Sequence, residues 1–159
     1  MKKILTLLCT ITLIGTSTTS LVACNTPQYS EDSLKKEKEK NNININGNIL
    51  EWITSQEKLF NKLDNKYYFV VWRDSKNSNW NINKFNNNKE IILITGDTRL
   101  QKTKLGNEYD LAIRVPEIRN MSVWKEDNGT YFKSVYRWNL DIQEPNLIVD
   151  KDGMVKVNE

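Results

Sequence analysis

From Lys66 to the C-terminal end, apolar residues mostly alternate with polar ones, and this period of two constrains the fold more than any other feature. Alternating runs rich in β-branched and aromatic residues are typical of strands that bury one face. The run EIILIT is continuously apolar, which indicates a central strand buried on both faces. The pattern predicts strands at Lys66–Arg73, Asn79–Phe85, Glu90–Thr95 and Glu108–Val115, the last ended by Pro116.

Two dipeptides with glycine predict hairpin turns. Asn128-Gly129 lies inside MSVWKEDNGTYFKSVYRWNL, and Asn-Gly is the preferred dipeptide of type I′ turns because both central residues need a positive φ. Asp152-Gly153 predicts a second, short hairpin near the end of the chain. In the second arm of the first hairpin, the alternation predicts one core-facing set: Phe132, Tyr136, Trp138 and Leu140.

A single amphipathic helix is predicted ahead of the strands, over Gly47–Asn65. Its apolar residues recur every three or four positions, and Asn48 is a suitable N-cap. We therefore expect one α+β domain over residues 46–159, with this N-terminal helix packed on an antiparallel sheet of about five to seven strands. A small β-barrel with a helix is the alternative.

The first 23 residues have the three parts of an export signal: a basic start, a short apolar run over Ile4–Gly15 and a small, polar approach to a cleavage point. The apolar run is shorter than the roughly 20 residues that span a bilayer. Leu21-Val22-Ala23-Cys24 follows and resembles the bacterial lipobox. An ordinary signal peptide with an incidental cysteine is the alternative interpretation, and Cys9 is expected to be an apolar filler of the leader.

The whole leader resembles those of mollicute lipoproteins, in particular of spiroplasmas, and VYRWNLDIQEPNLIVDKDG is similar to segments of uncharacterised spiroplasma lipoproteins. The resemblance implies that a diacylglycerol is attached to the Cys24 thiol and that the Ala23–Cys24 bond is then cut. Two acyl chains anchor a protein stably to a bilayer, whereas one does so marginally. The expected location is thus the outer face of the cell membrane, with the lipid bilayer as a partner and the covalent diacylglycerol as the one attached group.

Residues 24–45 are expected to form a disordered, lipid-anchored tether. The segment SEDSLKKEKEK alternates acidic and basic residues without an apolar stripe, and NNININGN adds polar residues. Such a composition buries too little apolar surface to fold alone. The charged run is expected to form at most a transient helix through pairs of Glu and Lys.

Composition excludes several classes of function. The chain has no histidine, and its two cysteines both lie within the first 24 residues, so neither a Ser-His-Asp triad nor a typical zinc or copper site is expected. There are 23 Lys and Arg against 20 Asp and Glu; without Lys2 and Lys3 of the leader the numbers are 21 and 20. A nearly neutral chain without a basic stripe is not expected to bind nucleic acid.

Three kinds of catalytic or metal site remain, and each has a simpler interpretation. The carboxylate pairs Glu108 with Asp110, and Asp141 with Glu144, contain the residue types of a glycosidase, but pairs so close in sequence usually lie in solvated loops. The sequence DKDG at Asp150–Gly153 has part of a calcium loop and is better interpreted as a turn. SVYR and SKNS supply a serine near a basic residue without forming a known motif.

Aromatic residues near predicted turns offer a binding surface, because exposed Trp and Tyr commonly contact sugars and protein partners. Trp80, Trp124 and Tyr131 are the candidates, although such residues also cap hydrophobic cores. Taken together, the sequence predicts a surface-exposed, non-enzymatic lipoprotein that binds a host protein or a glycan, with no metal. The alternatives are a carboxylate-based extracellular hydrolase acting on sugars, and an accessory subunit of a surface or transport assembly.

Overall fold

The structure, a computed structural model, describes residues 27–97 and 99–158, and over these residues it has one α-helix and eleven strands in three sheets. The mixed α and β class with antiparallel sheets is therefore confirmed, whereas the strands outnumber the five to seven predicted. The helix α1 covers Glu31–Asn41. The strands are β1 Ile43–Ile45, β2 Asn48–Ile53, β3 Tyr67–Trp72, β4 Asn81–Asn86, β5 Ile92–Leu93, β6 Leu100–Leu105, β7 Glu108–Val115, β8 Asn120–Val123, β9 Phe132–Trp138, β10 Leu147–Val149 and β11 Val155–Val157.

Two larger sheets carry most of the fold. The first has the order β1-β2-β9-β3-β4, the second β5-β6-β7-β8, and β10 with β11 forms a separate hairpin. Neighbouring strands pair antiparallel in all three sheets. The sheets are open and stacked, so the barrel alternative is wrong.

The main core lies between the two larger sheets. Val70 and Val135 from the first sheet meet Leu111 and Ile113 from the second, and all four are fully buried. Burial at about 25 cal/mol per Å² of apolar surface is the dominant stabilising contribution of such a core. The inner faces of β3, β6, β7 and β9 therefore fix the relative position of the sheets.

A second cluster covers the opposite face of the first sheet, where Leu147 of β10 packs with Leu50, Phe69 and Trp138. Because both faces of this sheet are covered, its central strands are apolar on both sides. The pairing of β3 with β9 shifts register between Val71 and Trp72.

The register shift changes which face the residues of β9 cover. Phe132 belongs to the core between the sheets, whereas Tyr136 and Trp138 belong to the second cluster. The prediction that all of these share one face with Leu140 was wrong, since a bulge moves the side chains beyond it to the other face. Leu140 follows the strand and is 38% exposed.

The helix predicted over Gly47–Asn65 is also wrong. Asn48–Ile53 forms β2, and two short 3-10 turns at Ser55–Glu57 and Leu59–Asn61 follow it. The apolar residues of this segment recur every three to four positions because a strand covered on both faces is followed by turns. Periodicity alone does not distinguish this pattern from a helix.

The charged segment expected to be a disordered spacer instead contains α1. Ser30 is its N-cap and accepts a hydrogen bond from the Ser33 N–H at 3.3 Å; acidic residues occupy the first turn and basic residues the last. Both features stabilise a helix, the second through its dipole. Lys38 then docks the helix by pairing with Glu51 at 2.7 Å and with Glu57 at 2.5 Å.

The hairpin predicted at Asn128-Gly129 does not form, since β8 and β9 lie in different sheets. The predicted turn geometry, with positive φ at both central residues, occurs instead at Asn46-Gly47. This two-residue loop joins β1 and β2, and its φ angles are +51° and +84°. The hairpin predicted at Asp152-Gly153 is confirmed by the pairing of β10 with β11.

The strands predicted at Lys66–Arg73, Asn79–Phe85 and Glu108–Val115 are confirmed as β3, β4 and β7. Glu90–Thr95 was expected to be a central, buried strand, and this is wrong. It contributes only the two-residue edge strand β5, and Leu93 is 58% exposed. The central strand that the sequence missed is β6, which pairs with β7 through the loop Gly106-Asn107.

Candidate functional site

The predicted lipidation site lies outside the described residues. This applies to Leu21, Val22, Ala23 and Cys24, and to the signal peptide as a whole. Within the described residues, no helix is both long and apolar enough to cross a membrane.

Each carboxylate of the pair Asp141 and Glu144 forms an ion pair with a lysine. Lys66 Nζ lies 2.7 Å from Asp141, whose side chain is 96% exposed, and Lys84 contacts Glu144. The hydrogen bond from the lysine lowers the pKa in each case. A general acid needs a raised pKa, so this arrangement favours a structural role for both carboxylates.

The contacts of Glu108 and Asp110 also favour a structural role. The hydrogen bond from Lys58 lowers the pKa of Glu108, which lies 3.8 Å from Lys125 as well. Burial raises the pKa of Asp110 to about 6. Its two oxygens accept backbone N–H groups of Leu111 at 2.8 Å and Lys125 at 3.0 Å. Asp110 is 5% exposed, which leaves it no open face for a substrate.

Two of the three aromatic candidates contribute to the core. Tyr131 was a candidate binding residue with a core-capping role as the alternative; it is 7% exposed and belongs to the core between the sheets. Trp124 packs against the same core with its ring centre 5.9 Å from that of Phe60.

Trp80 is half-buried between charged side chains. The Arg73 guanidinium lies 4.3 Å from the ring centre, and Lys133 Nζ lies 5.9 Å away. Gly153 approaches so closely that an added Cβ would lie 3.0 Å from Trp80 Cγ. The ring is thus half-buried and packed against the β10–β11 hairpin turn.

The calcium and serine candidates form turns. Asp150 Oδ1 accepts N–H groups of Asp152 and Met154, both at 3.0 Å. Ser78 donates to Asp74 at 3.0 Å, and Ser75 pairs with Glu117. A search of the described residues finds no group of three His, Cys, Asp or Glu side chains placed to hold a metal ion.

A groove opens where β4 meets the segment before β10, with a volume of about 230 Å³. Lys84 crosses one side of it, with Nζ 5.3 Å from the ring centre of Tyr67. The volume is below the roughly 300–1,000 Å³ of sites that enclose a small ligand. We call it the β4 groove, and its lining includes Phe69, Ile82, Lys84, Glu144, Pro145 and Leu147.

Three buried polar side chains and the half-buried Asp64 connect the two larger sheets, and we call Asp64, Tyr68, Asn87 and Lys102 the inter-sheet polar cluster. Lys102 Nζ donates to Asn87 Oδ1 and to the Lys89 carbonyl oxygen at 2.8 Å. Asn87 Nδ2 donates to Asp64 Oδ1 at 3.0 Å, and Tyr68 Oη donates to Asp64 Oδ2 at 2.6 Å. Tyr68, Asn87 and Lys102 are completely buried.

Charged groups extend this cluster toward α1. Arg137 lies 3.8 Å from Asp64 and donates to Glu51 Oε2 at 3.0 and 2.7 Å. Burial opposes ionisation of Glu51, yet hydrogen bonds from Lys38 and Arg137 outweigh it and lower the pKa. Burial raises the pKa of Tyr68, reinforced by its hydrogen bond to Asp64.

Sequence reasoning missed the inter-sheet polar cluster. Asn87 lies in NNNK, which was interpreted only as a turn, and Lys102 lies in a segment that was given no structure. The available signal was Gly106-Asn107, a two-residue hairpin dipeptide that predicts a strand on each side. On that strand, Lys102 shares a face with the buried Leu100, an unusual position for a lysine.

Comparison with known proteins finds a similarity to a viral protein. The chain is 31% identical over 100 residues to "Uncharacterized protein ORF1" of Spiroplasma virus SpV1-R8A2 B, and these residues are 63% of this chain and 10% of the viral protein. The chain thus spans about a tenth of the length of that protein. No family model matches the chain. No solved structure matches it.

The similarity supports the spiroplasma connection at the level of source, because the related protein comes from a spiroplasma virus. That protein is itself uncharacterised, so the similarity indicates neither an activity nor a lipid anchor.

Proposed function

We propose that the chain is a lipid-anchored surface protein whose folded part binds a partner without catalysing a reaction. The observation that carries this proposal is the sequence Leu21-Val22-Ala23-Cys24 at the end of a basic, then apolar, then polar leader. A diacylglycerol on Cys24 would hold the domain at the outer face of the membrane.

The surroundings of the candidate carboxylates support a binding role. Lysine side chains form ion pairs with Glu108, Asp141 and Glu144. The oxygens of the buried Asp110 accept hydrogen bonds from backbone N–H groups. None of the four has both an accessible face and a raised pKa, the combination expected of a glycosidase acid.

The β4 groove is the surface that we assign to the partner. Its lining combines apolar side chains with the charged pair of Lys84 and Glu144, and its small volume suits one side chain or sugar ring of a larger molecule. A host protein or a glycan meets this description.

The anchor is tested by metabolic labelling with radioactive palmitate in a bacterial host that processes lipoproteins. Wild type is expected to carry label, and Cys24→Ala is expected to lose it. Cys9→Ala is the matched control, since Cys9 would be removed with the leader, and it should label like wild type. Equal labelling of Cys24→Ala and wild type would contradict the anchor.

The binding role is tested separately with liposomes that carry the lipidated chain, applied to a glycan array and to immobilised host-surface proteins. Lys84→Glu reverses a charge in the β4 groove, whereas Lys104→Glu reverses an exposed charge on the other large sheet. Retention that falls at least several-fold with the first variant alone supports the groove. Absence of retention on every probe, or equal retention by both variants, counts against it.

A further inference from the structure

The inter-sheet polar cluster brings an amine and a carboxamide together in a site closed to solvent. Lys102 Nζ is hydrogen-bonded to Asn87 Oδ1, and both residues are completely buried. Oδ1 is bonded directly to Cγ, so a small shift of Nζ would bring it onto the carbon that a nucleophile attacks. The two residues come from different sheets: Asn87 follows β4, and Lys102 lies on β6.

Aromatic rings surround the buried Lys102 amine. The ring centres of Phe60 and Tyr109 lie 6.0 and 5.8 Å from Nζ. Burial lowers the pKa of Lys102, although nearby Asp64 and Glu90 oppose this effect. A lowered pKa favours the neutral amine, which carries the reactive lone pair.

Asp64 occupies the position that a proton carrier requires. Its Oδ1 lies 3.0 Å from Asn87 Nδ2, the nitrogen that would leave, while the Tyr68 hydroxyl holds Oδ2 at 2.6 Å. We propose that Lys102 and Asn87 condense into an intramolecular isopeptide bond that joins the two sheets, with Asp64 carrying the proton.

The reaction is balanced without an oxidant or a second substrate. The Nζ lone pair of the neutral amine forms a bond to Asn87 Cγ. In the resulting adduct, Nζ and Nδ2 are attached to the same carbon, so the carboxyl group of Asp64 beside Nδ2 is also near Nζ. Asp64 accepts one proton from Nζ and delivers it to Nδ2. The Cγ–Nδ2 bond then breaks and releases ammonia, leaving a secondary amide and a regenerated carboxylate.

Burial also explains why the amine, and not water, would react. Water is the competing nucleophile at a carboxamide, and complete burial of both residues excludes it. The folded protein holds the reacting groups in contact, which replaces a bimolecular encounter by an intramolecular one.

The bond is tested by tryptic peptide mapping of the full chain after denaturation in urea. Trypsin does not cut at an acylated lysine, so Lys102 would be protected. Wild type is expected to give one branched peptide in which Phe85–Lys89 is joined to Leu100–Lys104, lighter than the sum of its parts by one ammonia. Recovery of separate linear peptides, with cleavage after Lys102, would overturn the proposal.

Three variants separate the roles of the residues. Asp64→Asn keeps the amine and the carboxamide and is expected to lose the branched peptide; if it links as fully as wild type, Asp64 is not the proton carrier. Asn87→Asp is expected to give the same branched peptide by loss of water instead of ammonia; a wild type that links while this variant stays linear would contradict attack of Lys102 on the side-chain carbon of residue 87. Asn88→Ala changes the adjacent exposed amide and should link like wild type.

Discussion

The packing of Trp80 against the β10–β11 hairpin turn can be tested by substituting Gly153 with alanine. Gly153 has φ = +79°, and an added Cβ would lie 3.0 Å from Trp80 Cγ and 3.1 Å from both Trp80 Cδ1 and Lys133 Cγ. Gly153→Ala therefore combines two penalties: an unfavourable backbone conformation and a steric conflict with an aromatic ring.

Two other glycines isolate the backbone penalty. Gly47 has φ = +84° and Gly129 has φ = +89°, and an added Cβ at either position would meet nothing within 4 Å. Alanine at such a φ costs about 1–2 kcal/mol, reduced by about 0.4–1 kcal/mol because alanine also restricts the unfolded chain. We expect Gly47→Ala and Gly129→Ala to lower the free energy of unfolding by roughly 1 kcal/mol each.

Gly153→Ala adds the steric conflict, and overpacking typically costs about 1–3 kcal/mol. The Lys133 side chain can move aside, whereas Arg73 stacks on Trp80 and limits its movement. The expected total for Gly153→Ala is therefore about 2–4 kcal/mol.

Urea unfolding followed by tryptophan fluorescence measures the difference. With a slope of about 2 kcal/mol per M, the midpoint for Gly153→Ala should lie roughly 0.5–1.5 M below those of the two control variants. Repeating the substitution in a Trp80→Ala background should remove most of the excess, because the ring that the Cβ meets is then gone. Equal midpoints for Gly153→Ala and the two controls would refute the packing of Trp80 against this turn.

Two further predictions concern charges in the fold. Burial raises the pKa of Asp110 to about 6 in the folded protein, against 3.8 for an ordinary aspartate. The folded state therefore holds this proton to higher pH, and the stabilising contribution of Asp110 should fall by about 2 kcal/mol as pH rises from about 4 to about 6. Asp110→Asn should lack this decrease, and parallel urea titrations across that pH range would show it; parallel curves for the two proteins would contradict the shift. Lys38→Met should release α1 from Glu51 and Glu57 and make it a trypsin-sensitive segment under native conditions. Lys40→Met, a change at a side chain that is 74% exposed, should not.

The parts of the fold that the sequence predicted are those where local chemistry and tertiary packing agree. In β3, β-branched and aromatic residues fill a strand that is buried along most of its length. In the β10–β11 hairpin, Gly153 supplies the positive φ that the turn needs. Both elements follow from rules that act over a few neighbouring residues, so they could be identified without the rest of the fold.

The parts that the sequence did not predict depend on partners far away in the chain. The segment of α1 alternates acidic and basic residues without an apolar stripe, so its composition predicted a disordered tether; in the structure it is a helix with no buried residue. It docks through Lys38, whose partners Glu51 and Glu57 belong to β2 and the turn after it. An ion pair between residues 13 positions apart, Lys38 and Glu51, leaves no periodic pattern in the sequence. Composition therefore indicated a disordered spacer, although the segment forms a helix in the folded protein.

The two Asn-Gly dipeptides of the chain show how strongly the surrounding structure determines whether such a pair forms a hairpin turn. Asn46-Gly47 and Asn128-Gly129 are chemically identical, yet only the first has positive φ at both residues. Ile45 and Asn48 pair across the first, so the strands on either side stay together and twist as a type I′ turn requires. Around the second, Asp127 accepts the N–H groups of Gly129, Tyr131 and Phe132, which turns the chain away from β8 toward the other sheet. A side chain that satisfies the backbone locally can therefore override a hairpin dipeptide, and this competition explains why the sequence assigned the turn to the wrong pair.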